Sequence, residues 1–296
     1  VSEPDLARAL QGAEPACLVE VERARGSTPR EEGAAMLVTA LGVEGTVGGG
    51  ALEMEGIIEA RRLLAAGEDA SRLAVPLGPA IGQCCGGHVT LLVRRLTRGV
   101  AAEREARLAA ERARDPAVLV FGAGHTGQAL ARALQPLPLR LLVVDTRADH
   151  LTLLPPEVDR WLTVLPEETI EAAEPGSAFV VMTHDHGLDF LLAAAALARG
   201  DAAYVGMIGS ATKRRTFERR LAGEGRKDDA RNLTLPIGGT AVRDKRPSVI
   251  AALAAAEILV AFARSRENRC TGFAPAQNGC NNVSDQSTAA LHAATS

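Results

Sequence analysis

Aromatic side chains are scarce: one Trp, one Tyr and six Phe in 296 residues, 3% of the chain. That leaves no platform on which successive bases could stack. Hydrophobic residues still make up 47%, so Leu, Val, Ile and Ala must fill the cores. Positive charge is not in excess either, and a net charge of −3 with a pI near 6.1 argues against a nucleic-acid partner. No uninterrupted apolar run reaches the roughly eighteen residues of a membrane span. The first residues lack a charged segment followed by an apolar one, which speaks against export. Cys17, Cys84, Cys85, Cys270 and Cys280 form an odd set without the spacing of a disulfide framework. The expectation is a cytoplasmic protein with reduced thiols, no nucleic-acid partner and no membrane partner. At this length two domains of ordinary size are expected.

One stretch carries a complete motif. Val118-Leu119-Val120-Phe121 has the apolar character of a buried parallel strand. Gly122-Ala123-Gly124-His125-Thr126-Gly127 follows, then a helical pattern over 128–134, then a second apolar run over 139–144 that ends on Asp145. Strand, G-x-G-x-x-G, helix, strand and acid together form the dinucleotide-binding fingerprint of a Rossmann-type unit. Gly122 permits the tight turn, Gly124 lets a pyrophosphate approach, and Gly127 lets the helix pack on the strand. Free amides at the helix N-terminus face the phosphate, and Asp145 is placed to accept from a ribose hydroxyl. NAD is the candidate ligand, in a nucleotide-sized cleft. Fold and site are separable, however.

Residues 1–98 read as a small α+β domain. A short helix near 5–10 precedes strands at 16–24, 34–40, 72–77 and 88–96, and an amphipathic helix spans 51–66. Three loops stand out. Gly26-Ser27-Thr28-Pro29-Arg30 is either a surface turn or an anion cradle, because hydroxyls, amides and a guanidinium suit phosphate. Gly45-Thr46-Val47-Gly48-Gly49-Gly50 opens the helix at a cost in backbone entropy, which implies close approach to a ligand phosphate or to another strand. Gln83-Cys84-Cys85-Gly86-Gly87-His88 holds either one buried and one incidental thiol, or a reactive or metal-binding thiol. Without C-x-x-C spacing it does not make a zinc site.

Residues 99–116 read as an exposed linker helix. Beyond Asp145, strands are expected at 160–164, 178–182 and 203–208, and helices at 188–198, 211–221 and 248–263. In an open α/β sheet ligands bind beyond the carboxyl ends of the strands, where His184, His186, Gly209, Ser210 and Lys213 fall. His184 and His186 are too few for a metal site, so hydrogen bonding to a ligand or a neighbouring loop is favoured. Lys213, Arg214, Arg215, Arg219 and Arg220 read as a solvated helix face, with phosphate contact by Lys213, near a strand end, as the alternative. The Rossmann-like domain spans 117–265, and 266–296 has the composition of a disordered tail.

Taken together, these residues resemble the XdhC/CoxI family, the xanthine dehydrogenase accessory proteins. The likeness rests on the three glycine-rich loops, on Gly122 to His125, on Thr183-His184 with His186 and Asp189, on Tyr204 to Ser210 with Lys213, and on Leu235-Pro236-Ile237-Gly238. It implies a molybdenum-cofactor chaperone rather than an enzyme. Such a protein holds the cofactor while an L-cysteine desulfurase supplies the sulfido ligand, then helps insert it into apo xanthine dehydrogenase; a homodimer is expected. On that reading Cys85 lies nearest the molybdenum, with Cys84 secondary. Gly86, Gly87, Ser27, Thr28, Arg30, Gly48, Gly49 and Gly50 complete the cofactor site. Gly122, Gly124, Gly127, Asp145, His184, His186, Ser210 and Lys213 would serve a nucleotide. An NAD-dependent oxidoreductase is the alternative.

Overall fold

The computed structural model describes residues 3–12, 14–78 and 86–271. Cys84, Cys85 and residues 272–296 of the expected tail lie outside them. The chain divides into two compact units, Val1–Arg114 and Asp115–Ser296.

The first unit is an antiparallel sheet with helices on both faces. Its strands are β1 (Ala16–Arg25), β2 (Ala35–Thr39), β3 (Val43–Gly45), β4 (Ala70–Pro76) and β5 (His88–Arg95), in the order β3-β2-β1-β5-β4. Side chains alternate across a strand, so Cys17, Val19 and Val21 join Met36, Leu91 and Val93 beneath α2 (Gly50–Ala66). Ala16 and Leu18 point the other way, towards Leu6 of α1 (Leu6–Gln11) and Ala101 of α3 (Arg98–Arg112).

The same alternation places Glu20 on the α1/α3 face, and there the structure departs from expectation. The helix expected to be an exposed linker buries Ala101 and Arg104. Arg104 donates to Glu20 at 2.7 Å and to the Gly33 carbonyl at 3.2 Å, Arg94 donates to Glu20 at 2.7 Å, and Arg107 pairs closely with the same carboxylate. Burial alone would push the Glu20 carboxyl up, but Arg94, Arg107 and Arg104 outweigh it and hold it below the ordinary range. What reads as a solvated charged helix is a source of cations for a buried acid.

In the second unit β6 (Ala117–Phe121), β7 (Arg140–Asp145), β8 (Asp159–Leu162), β9 (Ala178–Val181), β10 (Tyr204–Met207) and β11 (Leu233–Thr234) form one parallel sheet. From the other edge its order is β8-β7-β6-β9-β10-β11, the doubly wound arrangement whose strand order reverses between β6 and β9. One face packs on α4 (His125–Leu134) and α9 (Pro247–Thr271). The other packs on α6 (Pro166–Ala172), α7 (His186–Ala198) and α8 (Ala211–Gly223). The short α5 (Ala148–Leu151) follows β7.

Two expectations about α9 change. The helix continues through residues 266–271 of the expected tail. Its segment Pro247–Glu267, with a hydropathy of 1.7, is also long and apolar enough to cross a membrane by length and composition. Glu257 and Arg264 interrupt it, so no continuous apolar run shows. In the fold Ala251, Ala254, Ile258 and Phe262 join Leu130 and Leu134 of α4 in the core.

Removing Glu20 takes from the buried Arg104 guanidinium the inner of its two carboxylates and leaves it the half-exposed Glu3. Glu20→Ala should cost about 3–5 kcal/mol, the range for breaking a buried ion pair. Faster hydrogen exchange at β1 and β5 amides would locate the loss. Because the folded carboxyl titrates below the ordinary value of 4.5, its contribution is present above that value and is lost as pH falls through the lower folded value. Acid titration of Glu20→Gln should lack that component.

Candidate functional sites in the two units

Three glycine-rich loops of the first unit meet at one end of its sheet. Gly26, with φ 72°, turns the chain out of β1, and Ser27 forms a β-bridge with Gly86. A Cβ on Gly87 would lie 2.2 Å from the Ser27 carbonyl oxygen, and one on Gly48 would lie 2.6 Å from Pro29 Cγ. Close approach by neighbouring loops therefore accounts for Gly87 and Gly48. Cβ positions on Gly49 and Gly86 would meet nothing within 4 Å among the described residues.

The electrostatics of this end are divided. Thr46 Oγ1 donates to Glu53, the Gly49 amide donates to the same carboxylate at 3.2 Å, and the Gly48 amide donates to Thr46 Oγ1 at 3.1 Å. A side-chain carboxylate thus already sits where the α2 N-terminus would attract an anion. The Gly48 and Gly49 amides are not the free phosphate cradle expected of them. The loop 26–30 differs: Arg30 is half-buried, and neither it nor the Ser27 and Thr28 hydroxyls has a polar partner among the described residues. Glu53 was missed as an electrostatic group, although an acid in the first turn of α2, seven residues after Thr46, signals such a reach-back.

In the second unit the fingerprint glycines do what their spacing implies. A Cβ on Gly127 would lie 1.9 Å from the Gly122 carbonyl oxygen, and one on Gly122 would lie 2.4 Å from the Met182 carbonyl oxygen. Gly124 caps α4 and faces open space. Asp145, expected to accept from a ribose, is instead satisfied by its own chain. Its Oδ2 accepts from the Ala123 amide at 2.7 Å and from Arg147 Nη2 at 3.1 Å, and its Oδ1 accepts from Arg147 Nε and the Arg147 amide, both at 3.0 Å. Burial pushes this carboxyl up, and Arg147 with the two amides more than offsets it. The cleft between Gly122, Asp145, Pro166 and His184 has a volume of about 10 Å³, room for one water. The expected nucleotide-sized cleft is not open there.

Lys213 also departs from expectation. Its Nζ pairs closely with Asp189 and donates to the Ile208 carbonyl at 3.0 Å, so it is not a free cation awaiting phosphate. Asp189 is fully buried and accepts from the Thr183 amide at 2.9 Å and from Thr183 Oγ1 at 2.7 Å. Ser210 caps α8 through the Lys213 amide at 3.3 Å. His184 and His186 are exposed on either side of Asp185, which caps α7 through the amides of Gly187 and Leu188. No three His, Cys, Asp or Glu side chains gather as metal ligands among the described residues. A double-mutant cycle over Asp189→Asn and Lys213→Met should return a coupling of about 1–3 kcal/mol in urea denaturation. A coupling near zero would mean the pair contributes nothing as a pair.

Comparison with known proteins fits both units. The model described as the XdhC Rossmann domain matches residues 118–258, and that of the XdhC and CoxI family matches residues 9–76. The protein YqeB of Escherichia coli (strain K12), described as uncharacterized, is 28% identical over 258 residues. That alignment takes in 83% of this chain but 43% of YqeB, so the chain spans less than half of this relative's length. In fold, the chain is similar to a crystal structure described as a xanthine dehydrogenase from Bacillus halodurans. The TM-score is 0.67 at 18% identity, over 91% of this chain and 97% of that one. With one family model on each unit and the glycine-rich loops as quoted, the chain belongs to the XdhC/CoxI family.

Proposed function

We propose that this protein serves the maturation of xanthine dehydrogenase by binding the molybdenum cofactor, holding it for sulfuration by an L-cysteine desulfurase, and delivering it to the apo-enzyme. One observation carries the reading: the Ser27–Gly86 bridge brings the residue that follows Cys85 against the loop that carries Arg30. The half-buried Arg30 and the hydroxyls of Ser27 and Thr28, unpartnered among the described residues, suit the phosphate of an anionic pterin. A thiolate suits a soft metal centre, and Cys85 is the residue assigned to it, with Cys84 secondary. The open space at Gly49 and Gly86 leaves room for the group. The cofactor supplies the metal and the sulfido chemistry; this chain binds, orients and shields it without catalysing a reaction of its own. The Glu53 carboxylate moves the anion away from the Gly48 and Gly49 amides and onto the 26–30 loop.

Equilibrium dialysis against cofactor released from a molybdoenzyme, with bound molybdenum and pterin fluorescence as readouts, tests this. Arg30→Ala should weaken binding by about 1.5–3 kcal/mol, the range for a hydrogen bond to a charged group. Cys85→Ala should lose more metal retention than Cys84→Ala. Wild-type retention in both cysteine variants, with unchanged affinity in Arg30→Ala, would remove the site.

A second reading, an NAD-binding oxidoreductase unit, is favoured by one feature: Gly124 opens the α4 N-terminus to a ligand. It requires Asp145 to exchange Arg147 for a ribose. Arg147→Ala should then tighten NAD binding in calorimetry, and Asp145→Ala should abolish it. Absence of heat with NAD and NADP at millimolar concentration in every variant would leave the unit without a nucleotide role.

A further inference from the structure

The second unit carries a basic cleft of about 820 Å³ between residues 214–222 of α8 and the helical turn at residues 227–232. Five cations and two carboxylates line it, in a chain whose net charge is −3. Both carboxylates are already paired, Glu218 with Arg214 at 3.4 Å and Asp228 with Arg231 at 3.1 Å. Arg214 is further spent on the carbonyls of Leu233 and Leu235. Arg215, Arg219 and Lys227 remain exposed with no carboxylate partner among the described residues. Arg215 and Arg219 stand one helical turn apart on the same wall, and Lys227 faces them from the turn.

Both walls are held in place. Phe217 and Leu221 anchor α8 in the core. Arg226 ties the turn down, donating to Asp229 at 2.8 Å and to the Ala194 carbonyl at 3.0 Å. Uncompensated like charges on a rigid scaffold repel one another, a cost that an anionic occupant relieves. The surroundings select among anions. The cleft runs along α8 from Arg214 to Ala222, and no aromatic residue lines it to stack a base. Ala222 and Ala230 also line it, and two of its three unpaired cations, Arg215 and Arg219, are guanidinium forks that match carboxylates in pairs.

We infer that this cleft docks an acidic segment of a partner protein, held by Arg215, Arg219 and Lys227. The inference does not depend on cofactor binding by the first unit. Fluorescence anisotropy with the full chain and a short fluorescein-labelled peptide of alternating Glu and Ser tests it. Arg215→Glu with Arg219→Glu should weaken binding by about tenfold or more, and Lys227→Glu alone should weaken it measurably. The control Arg61→Glu with Arg112→Glu makes the same change in net charge elsewhere and should bind as the wild type does. Circular dichroism verifies folding, and Lys227→Glu keeps the test decisive should the α8 variant unfold. No binding by the wild type would overturn the assignment, as would equal weakening in the control. So would an unlabelled single-stranded oligonucleotide that displaces the peptide at lower concentration than unlabelled peptide does, because the cleft would then serve nucleic acid.

Discussion

A carboxylate inside a protein keeps its charge only where a cation or several donors replace the water it has lost. Three buried acids, Glu20, Asp145 and Asp189, set the internal order of this chain. Glu20 holds α3 on the first sheet through Arg104 and Arg107. Asp145 fixes the glycine turn after β6 through the Ala123 amide and is itself closed off by Arg147. Asp189 joins the start of α7 to α8 through Lys213 and holds Thr183 at the end of β9. The cations are Arg104 of α3, Arg147 two residues beyond Asp145, and Lys213 of α8, and Arg104, Asp145 and Lys213 each read as available in the sequence but are already committed.

That commitment separates what was legible in the sequence from what was not. The parallel sheet was legible because buried parallel strands are continuous apolar runs, and the roles of Gly122 and Gly127 followed from motif spacing. The edge strand β11 was not, since two residues carry no periodicity. Charged side chains were misread for a common reason: a charge has the same letter whether it faces water or a buried partner. Arg104 and Lys213 were therefore assigned to solvent or ligand, and Asp145 to a ribose. Glu53 shows the same limit, because its reach back to Gly49 depends on how the helix begins.

The two candidate sites differ in the state of their polar groups. At the second sheet's strand ends the polar groups of Asp145 and Lys213 are satisfied internally, and the pocket beside Asp145 has a volume of about 10 Å³. At the first unit's loops Arg30, Ser27 and Thr28 stand without polar partners among the described residues, beside glycines whose Cβ would meet none of those residues. Unspent donors beside backbone with room for a ligand are what a bound anion requires, and this contrast is the ground for the proposal that the first unit holds the cofactor.

The central claim is that this chain carries a molybdenum-containing pterin on its first unit. Native mass spectrometry of the full chain, purified without oxygen from cells supplied with molybdate, tests it directly. The spectrum should show a bound species with the isotope pattern of molybdenum and the mass of the pterin cofactor, lost when Arg30 and Cys85 are replaced together. A spectrum showing only the bare chain, or the same adduct retained by that double variant, would contradict it.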